Sequence, residues 1–324
     1  MLVGEAPGAE EDIKKLPFVG PAGNLLNEML ADAGLNRDKL ALTNVFDTRP
    51  PHNEVLNFFA GKKVLGKEAL RHKFKTKYLK PEHWVSLDRL KAEIAQVNPK
   101  VIVALGSTAL WALTGETGIS ALRGTPLGDK PLVLPTFHPN AVMREYSHRP
   151  VVTLDLSKAR RYAEEGYAPK NTIVRVPQSR KDLDSLFAEL SSASLFSFDV
   201  ETIDQQIECI SFAYEGGVFC IPIWDRPAGS AWSLETELFI WSSLRRIFAK
   251  APRILAHNST YDLTYLRQYG VSPGGEVHDT TLLHHALQPE MKKSLGFLAS
   301  LYLDNPEWKT LRVKSQKDVD KADE

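Results

Sequence analysis

Short apolar runs alternate with stretches of helical spacing through the first half of the chain. Met1 to Val3 read as the end of a buried strand, and ALTNVF (41–46), KVIVALG (100–106) and LVLPTFHP (132–139) as further strands. Between them, Leu25, Leu26, Met29 and Leu30 recur at helical spacing, which predicts a helix from Asn24 to Gly34. Leu87 to Val97 and residues 150–166 read as two more helices. This alternation predicts an α/β unit with a largely parallel sheet. Residues 165–180 contain Gly and Pro and lose the helical period, so a boundary is expected near 168, dividing the chain into 1–168 and 169–324. Beyond it come a helix (181–190), three consecutive strands (194–200, 208–214, 218–223), a helix (234–249) and a strand (253–258). Two apolar helices are expected at 278–290 and 293–303. The second pattern is also α/β, with a mixed sheet.

Composition narrows this picture only in places. The 324 residues, 43% apolar, suffice for one to three ordinary domains. Net charge is zero, but residues 1–168 carry 23 Lys and Arg against 19 Asp and Glu, and the remainder carries 17 against 21. A basic run from Lys62 to Lys80, with Phe74 and Tyr78 among its lysines, is able to track a phosphate backbone. As a bare charge run it reads as a solvated helix face. Cys209 and Cys220 are the only cysteines, too few for a four-thiolate metal or iron–sulfur site. No apolar run is long enough for a membrane span and no charged-then-apolar leader opens the chain, so a cytoplasmic protein with reduced thiols and no membrane partner is expected.

Candidate chemistry gathers at predicted strand ends. GEAPGAEED (4–12) is a Gly- and Pro-rich turn loaded with carboxylates, and PFVGPAG (17–23) follows it. Such ends converge on one crevice in a doubly wound sheet. There Phe18 offers an aromatic face and Asn44 a side chain that both donates and accepts. His138 offers an imidazole able to stabilise negative charge. Together they suit a flat, hydrogen-bonding heterocycle.

GEAPGAEED, PFVGPAGNLL, LTNVFDTRPP, NPKVIVALGSTAL and LRGTPLG…LPTFHPNAVMR, in that order, resemble the uracil-DNA glycosylase superfamily, nearest its iron–sulfur-bearing fourth family. The resemblance implies an α/β/α fold that captures an extrahelical deoxyuridine and cleaves its N-glycosidic bond. It makes Phe18 the stacking platform, Asn44 the uracil reader and His138 the stabiliser of the departing anion. Glu5 and Glu11, unranked, would position water and steady the sugar, because Ala6 stands where related families place a water-activating Asp. The sequence departs from the family at the cluster: Thr48 and a position near Ser86 stand where two ligand cysteines are expected, so no iron–sulfur cluster is expected. Asn140 replaces the usual Ser of the HPS tip, and residues 52–80 are unlike the family.

In the second half, FSFDVET (196–202) puts Asp199 and Glu201 on one face of a strand. Adjacent carboxylates in an apolar run are costly without a cation between them. AHNSTYDLTYL (256–266) adds Asn258 and Asp262 at a strand-to-helix junction. Over roughly 172–303 this half resembles the 3′–5′ proofreading exonuclease of family A DNA polymerases, an RNase H-like fold. The resemblance implies two-metal hydrolysis with Mg²⁺ or Mn²⁺ on Asp199, Glu201 and Asp262, and Asn258 in support. The family's closing Tyr-x-x-x-Asp helix is missing; Asp318, Asp320 and Asp323 lie in a polar tail with no such tyrosine. The second half is therefore expected to be C-terminally incomplete.

The expectation is a DNA enzyme that joins uracil excision to a proofreading-type nuclease, as the front of a phage-type polymerase. Its partners would be DNA, single-stranded or with a 3′ end, and a polymerase domain. The alternative is a non-catalytic DNA-docking module with an incomplete nuclease.

Overall fold

A computed structural model describes residues 1–168, 172–225 and 229–304. The chain divides into two compact units, Met1–Pro169 together with the segment from Gly296, and Lys170–Leu295. Among the described residues no helix is long and apolar enough to cross a membrane.

In the first unit four strands form an all-parallel sheet in the order Leu42–Asn44, Leu2–Gly4, Val101–Leu105, Leu132–Thr136. Val101–Leu105 and Leu132–Thr136 are buried at every residue, as a parallel sheet covered on both faces requires. One face packs on Leu26, Met29, Leu30 and Leu156, the other on Phe46, Leu87, Leu90 and Leu110. The helix Pro21–Asp32 begins ahead of the expected Asn24, because Pro21 suits a first helical turn. Strand order reverses beside Leu2–Gly4, so the crevice opens at the carboxyl ends of that strand and its neighbours.

Two expectations are corrected here. The basic run is not a helix face. Its residues build a small antiparallel sheet of Phe59–Ala60, Lys77–Leu79 and Lys73–Phe74. Phe74 and Leu79 are buried in it, while Lys73, Lys75 and Lys77 face solvent. The helix Leu295–Tyr302, expected in the second domain, joins the first unit from Gly296 onward.

The reason is a buried polar clamp. Arg123 and Asp155, both essentially inaccessible, are joined by two N–H···O bonds of 3.0 and 2.6 Å. Thr136 Oγ1 donates to the same carboxylate at 2.7 Å. Arg123 also donates to Ser300 Oγ (3.1 Å) and to the Ser300 carbonyl (3.2 Å). Lys158 Nζ donates to the carbonyls of Ser300 (2.6 Å) and Leu303 (2.5 Å). Two cations thus satisfy the open carbonyls at that helix's C-terminus. Burial lowers the Lys158 pKa to about 8.

The second unit holds a six-stranded mixed sheet, ordered Glu276–Asp279, Arg253–Ala256, Phe196–Ile203, Gln206–Tyr214, Gly217–Pro222, Val174–Arg175. The three consecutive central strands are antiparallel and the flanking pairs parallel. Its core gathers Phe196, Phe198, Phe212, Phe219 and Phe248 under the helices Arg180–Ser192 and Leu234–Lys250. The strand Glu276–Asp279 was expected as the start of a helix. It is a short, mostly exposed edge strand without apolar alternation, and the helix starts only at Thr280.

Candidate active sites

A cavity of about 760 Å³ opens at the carboxyl ends of the first sheet. It is lined by Glu5, Glu11, Phe18, Asn44 and His138 together, so all five residues singled out from the first-half motifs meet in one place. Gly4 explains how. A Cβ on Gly4 would lie 2.3 Å from Asn44 Oδ1 and 2.4 Å from Phe18 Cζ. The glycine at the strand end is therefore what lets amide and ring close over the same backbone. The turn carrying Phe18 is tight: its φ is +56°, and a Cβ on Gly23 would lie 2.0 Å from the Phe18 carbonyl oxygen. Asn44 is fixed through its backbone, since Arg89 Nη2 donates to the Asn44 and Val45 carbonyls at 2.6 and 3.0 Å.

The two carboxylates separate. Glu5 Oε2 accepts from Thr108 Oγ1 at 2.5 Å. Burial raises the Glu5 pKa, opposed by the Thr108 bond and by the Lys75 and Arg144 charges. Glu11 instead accepts from the Gly20 amide at 3.2 Å, and Cβ atoms on Gly8 or Gly20 would crowd it, at 2.6 and 3.2 Å. Its carboxylate ties the turn of PFVGPAG to the helix Ala9–Lys14.

His138 begins the turn into the helix Pro139–Arg144, and its Nδ1 accepts from the Asn140 amide at 3.1 Å. Burial pulls its pKa down to about 4. The ring is therefore neutral at physiological pH, and the bonded Nδ1 leaves the proton on Nε2. The Phe18 and His138 ring centroids are 6.2 Å apart.

Three lining residues have no role assigned by the motifs alone: Thr108, Lys75 and Arg144. Thr108 and Arg144 lie inside the motif strings, in GSTAL after a strand end and in HPNAVMR, and that position is the signal that points to them. Lys75 belongs to the segment unlike the family.

The iron–sulfur cluster has no ligands here. Both cysteines lie on strands of the second unit. Ser86, buried, donates to Asp47 Oδ1 at 3.2 Å, and Phe58 packs on His83 with centroids 4.0 Å apart. A hydroxyl, a carboxylate and packed rings do not fit a thiolate-bound cluster.

In the second unit, Asp199 and Glu201 project from the exposed face of Phe196–Ile203, while Phe198 and Val200 face the core. Asp262, in the helix Ser259–Gln268, is buried and accepts from the Val200 amide at 2.8 Å. Burial raises its pKa to about 6, the Val200 bond opposes this, and the Asp199 and Glu201 charges add to it. The three carboxylates are thus near enough to repel. Among the described residues, however, no group of three or more His, Cys, Asp or Glu is arranged to hold a metal ion. Asn258 starts that helix at φ +60°, and no side-chain capping bond is formed. Its amide donates to Asp279 Oδ1 at 3.1 Å. Asp279, which no sequence motif marks, also takes the Ser259 and Thr281 amides at 2.7 and 2.8 Å. Burial alone would raise its pKa; these donors hold it down to about 2. Asp318, Asp320 and Asp323 lie outside the described residues.

Comparison with known proteins assigns the two halves of the chain to two families. The uracil DNA glycosylase superfamily profile matches residues 1–161, and the 3′-5′ exonuclease profile matches residues 174–322. The type-4 uracil-DNA glycosylase of Thermotoga maritima is 36% identical over 173 residues, covering 51% of this chain and 78% of that protein. The type-4 uracil-DNA glycosylase of Archaeoglobus fulgidus is 34% identical over 154 residues, covering 44% of this chain and 66% of that protein. The DNA polymerase of Bacillus phage SP01 is 23% identical over 323 residues, covering 88% of this chain but only 32% of its own length. Among solved structures, the Aedes aegypti Nibbler EXO domain is 17% identical, covering 42% of this chain and 74% of that one, with a TM-score of 0.33. The chain belongs to the uracil DNA glycosylase superfamily through its first unit, and it carries a 3′-5′ exonuclease family domain behind it.

Proposed function

We propose that the first unit excises uracil from DNA by hydrolysing the N-glycosidic bond. The observation that carries this is the closure of the Phe18 ring and the Asn44 amide over Gly4, in one cavity with Glu5 and His138. Phe18 stacks on the extruded base, and Asn44 donates to and accepts from its Watson–Crick edge. As the bond to C1′ breaks, its electron pair leaves on uracil. The neutral His138 donates its Nε2 proton in a hydrogen bond to the developing oxyanion. Glu5 faces the cavity as the carboxylate that orients water toward C1′ and balances the sugar's positive charge. Glu11 acts through the backbone, holding the turn that presents Phe18.

For the second unit we infer a 3′–5′ exonuclease role in which Asp199, Glu201 and Asp262 are the donors and Asn258 supports their helix. Hard carboxylate oxygens suit Mg²⁺ or Mn²⁺. The similarity to a phage DNA polymerase supports a polymerase context, with DNA as the shared partner.

The test is release of free uracil from a single-stranded oligonucleotide by the whole chain, with Asn44→Ala and Phe18→Ala compared. Release that falls in both variants supports the reading. No release by the unsubstituted, folded chain overturns it.

A further inference from the structure

We propose that Lys75 is a DNA-phosphate ligand of the first cavity, presented by a hairpin that this chain has built beside it. The inference rests on the glycosylase reading, and it concerns a residue outside the motifs of that family. Lys75 lines the cavity together with its neighbour Phe74 and with Arg144.

The hairpin is held in place. Strands Lys73–Phe74 and Lys77–Leu79 pair with Phe74 opposite Lys77, so Lys75 and Thr76 form a two-residue turn. Trp111 Nε1 donates to the Lys73 carbonyl at 2.7 Å. The Phe74 ring, buried, packs on Trp111 and on Phe59, each with centroids 5.3 Å apart. Trp111 lies on the helix Ser107–Thr114, one turn from Thr108, the residue that bonds Glu5. One helix therefore anchors both the catalytic carboxylate and the hairpin tip.

The turn itself breaks a local rule. Lys75 has φ +53° at the first central position, where such turns favour glycine. A lysine held there against backbone preference points to a use for its side chain. Its ammonium lies 5.4 Å from the Phe74 ring centroid. Its charge, with that of Arg144, pulls on the Glu5 carboxylate. A flipped nucleotide brings a phosphate on either side of the sugar. Lys75 and Arg144 supply a positive charge from two separate elements of the cavity wall.

The experiment measures binding of the whole chain to a labelled single-stranded oligonucleotide with one central tetrahydrofuran abasic analogue, in chelator, from 50 to 200 mM NaCl. Each single-strand phosphate that the protein no longer neutralises lowers the log–log salt slope by about 0.7. Lys75→Ala is expected to lower the slope by that amount and to weaken binding several-fold at the lowest salt, whereas Lys75→Arg retains both. Lys77→Ala, on the same hairpin but away from the cavity, is expected to leave the slope unchanged. An unchanged slope in Lys75→Ala overturns the proposal, and so does an equal drop in Lys77→Ala. Uracil release measured on the same preparations separates the two readings. A Lys75-dependent slope without any release refutes the glycosylase role and leaves the phosphate ligand standing. Release with a Lys75-independent slope does the reverse.

Discussion

The two units treat their acidic residues in opposite ways. In the first, Thr108 donates to Glu5 and the Gly20 amide to Glu11. In the second, burial raises the pKa of Asp262, the Val200 amide opposes this, and the Asp199 and Glu201 charges add to it. Both halves carry their motifs in order, and in the first the five motif residues converge on one cavity. Motif order establishes descent; a site requires the elements behind the motifs to close as well. In the first unit a glycine, two strand ends and a helix do this closing.

The largest effect that would break the comparison lies beneath the first site. Asp155→Ala leaves Arg123 buried without its partner, at a cost of about 3–5 kcal/mol. Thermal unfolding should show the first unit losing stability by that amount. A midpoint unchanged from the parent would mean that the clamp holding the helix Leu295–Tyr302 contributes nothing.

Gly4→Ala tests the convergence itself. The added methyl must displace Asn44 or Phe18, and a displacement of about 1 Å costs roughly 10²-fold in rate. Uracil excision should fall by that factor while the fold, read by circular dichroism, persists. Full activity would show that the amide and the ring need not meet over this residue.

Asp262→Asn tests the opposite condition in the second unit. An acid raised to about 6 holds more protons folded than unfolded between the ordinary carboxylate pKa and that value. Stability is therefore lost as pH rises through that window. In chelator at pH 7 the amide, which still accepts from Val200, should stabilise the unit by on the order of 1–2 kcal/mol. The gain should vanish at low pH. A destabilised variant at pH 7 would mean that the charge has a favourable partner.

The smallest effect is on the acid limb of excision. Burial pulls the His138 pKa down to about 4 and raises that of Glu5 from its ordinary value. The acid limb should belong to Glu5: Glu5→Gln should flatten it and His138→Asn should leave its midpoint in place. For stability the histidine sign is the reverse of Asp262. Its folded pKa is depressed, so acidification from the ordinary imidazole value toward 4 costs stability.

Much of the first site was legible because its residues sit at strand ends, where apolar runs stop at polar side chains: Gly4 and Glu5, Asn44, and His138. The contacts that tune it were not. Thr108 reaches Glu5 across 103 residues of sequence, and the lysines around Lys75 read as a solvated helix because only Phe74 and Leu79 among them are buried, with no strand alternation between them. Arg123 and Lys158 carry ordinary surface residue types, and only tertiary packing makes them the cap of a distant helix. In the second unit the central strands and their phenylalanines were plain. The edge strand Glu276–Asp279 was hidden by its polarity, and with it the role of Asp279 in fixing the junction at Asn258.

The central claim is that the first unit excises uracil and that the second is a metal-dependent 3′–5′ exonuclease resting on Asp199, Glu201 and Asp262. One reaction tests both parts. The whole chain is incubated, without added metal and then with Mn²⁺, with a 5′-labelled single-stranded oligonucleotide carrying one internal uracil, and the products are treated with alkali. The account predicts cleavage at the uracil position in both conditions, with shortening from the 3′ end only when Mn²⁺ is added. An intact uracil site, or 3′ ends left unshortened on adding Mn²⁺, would contradict it.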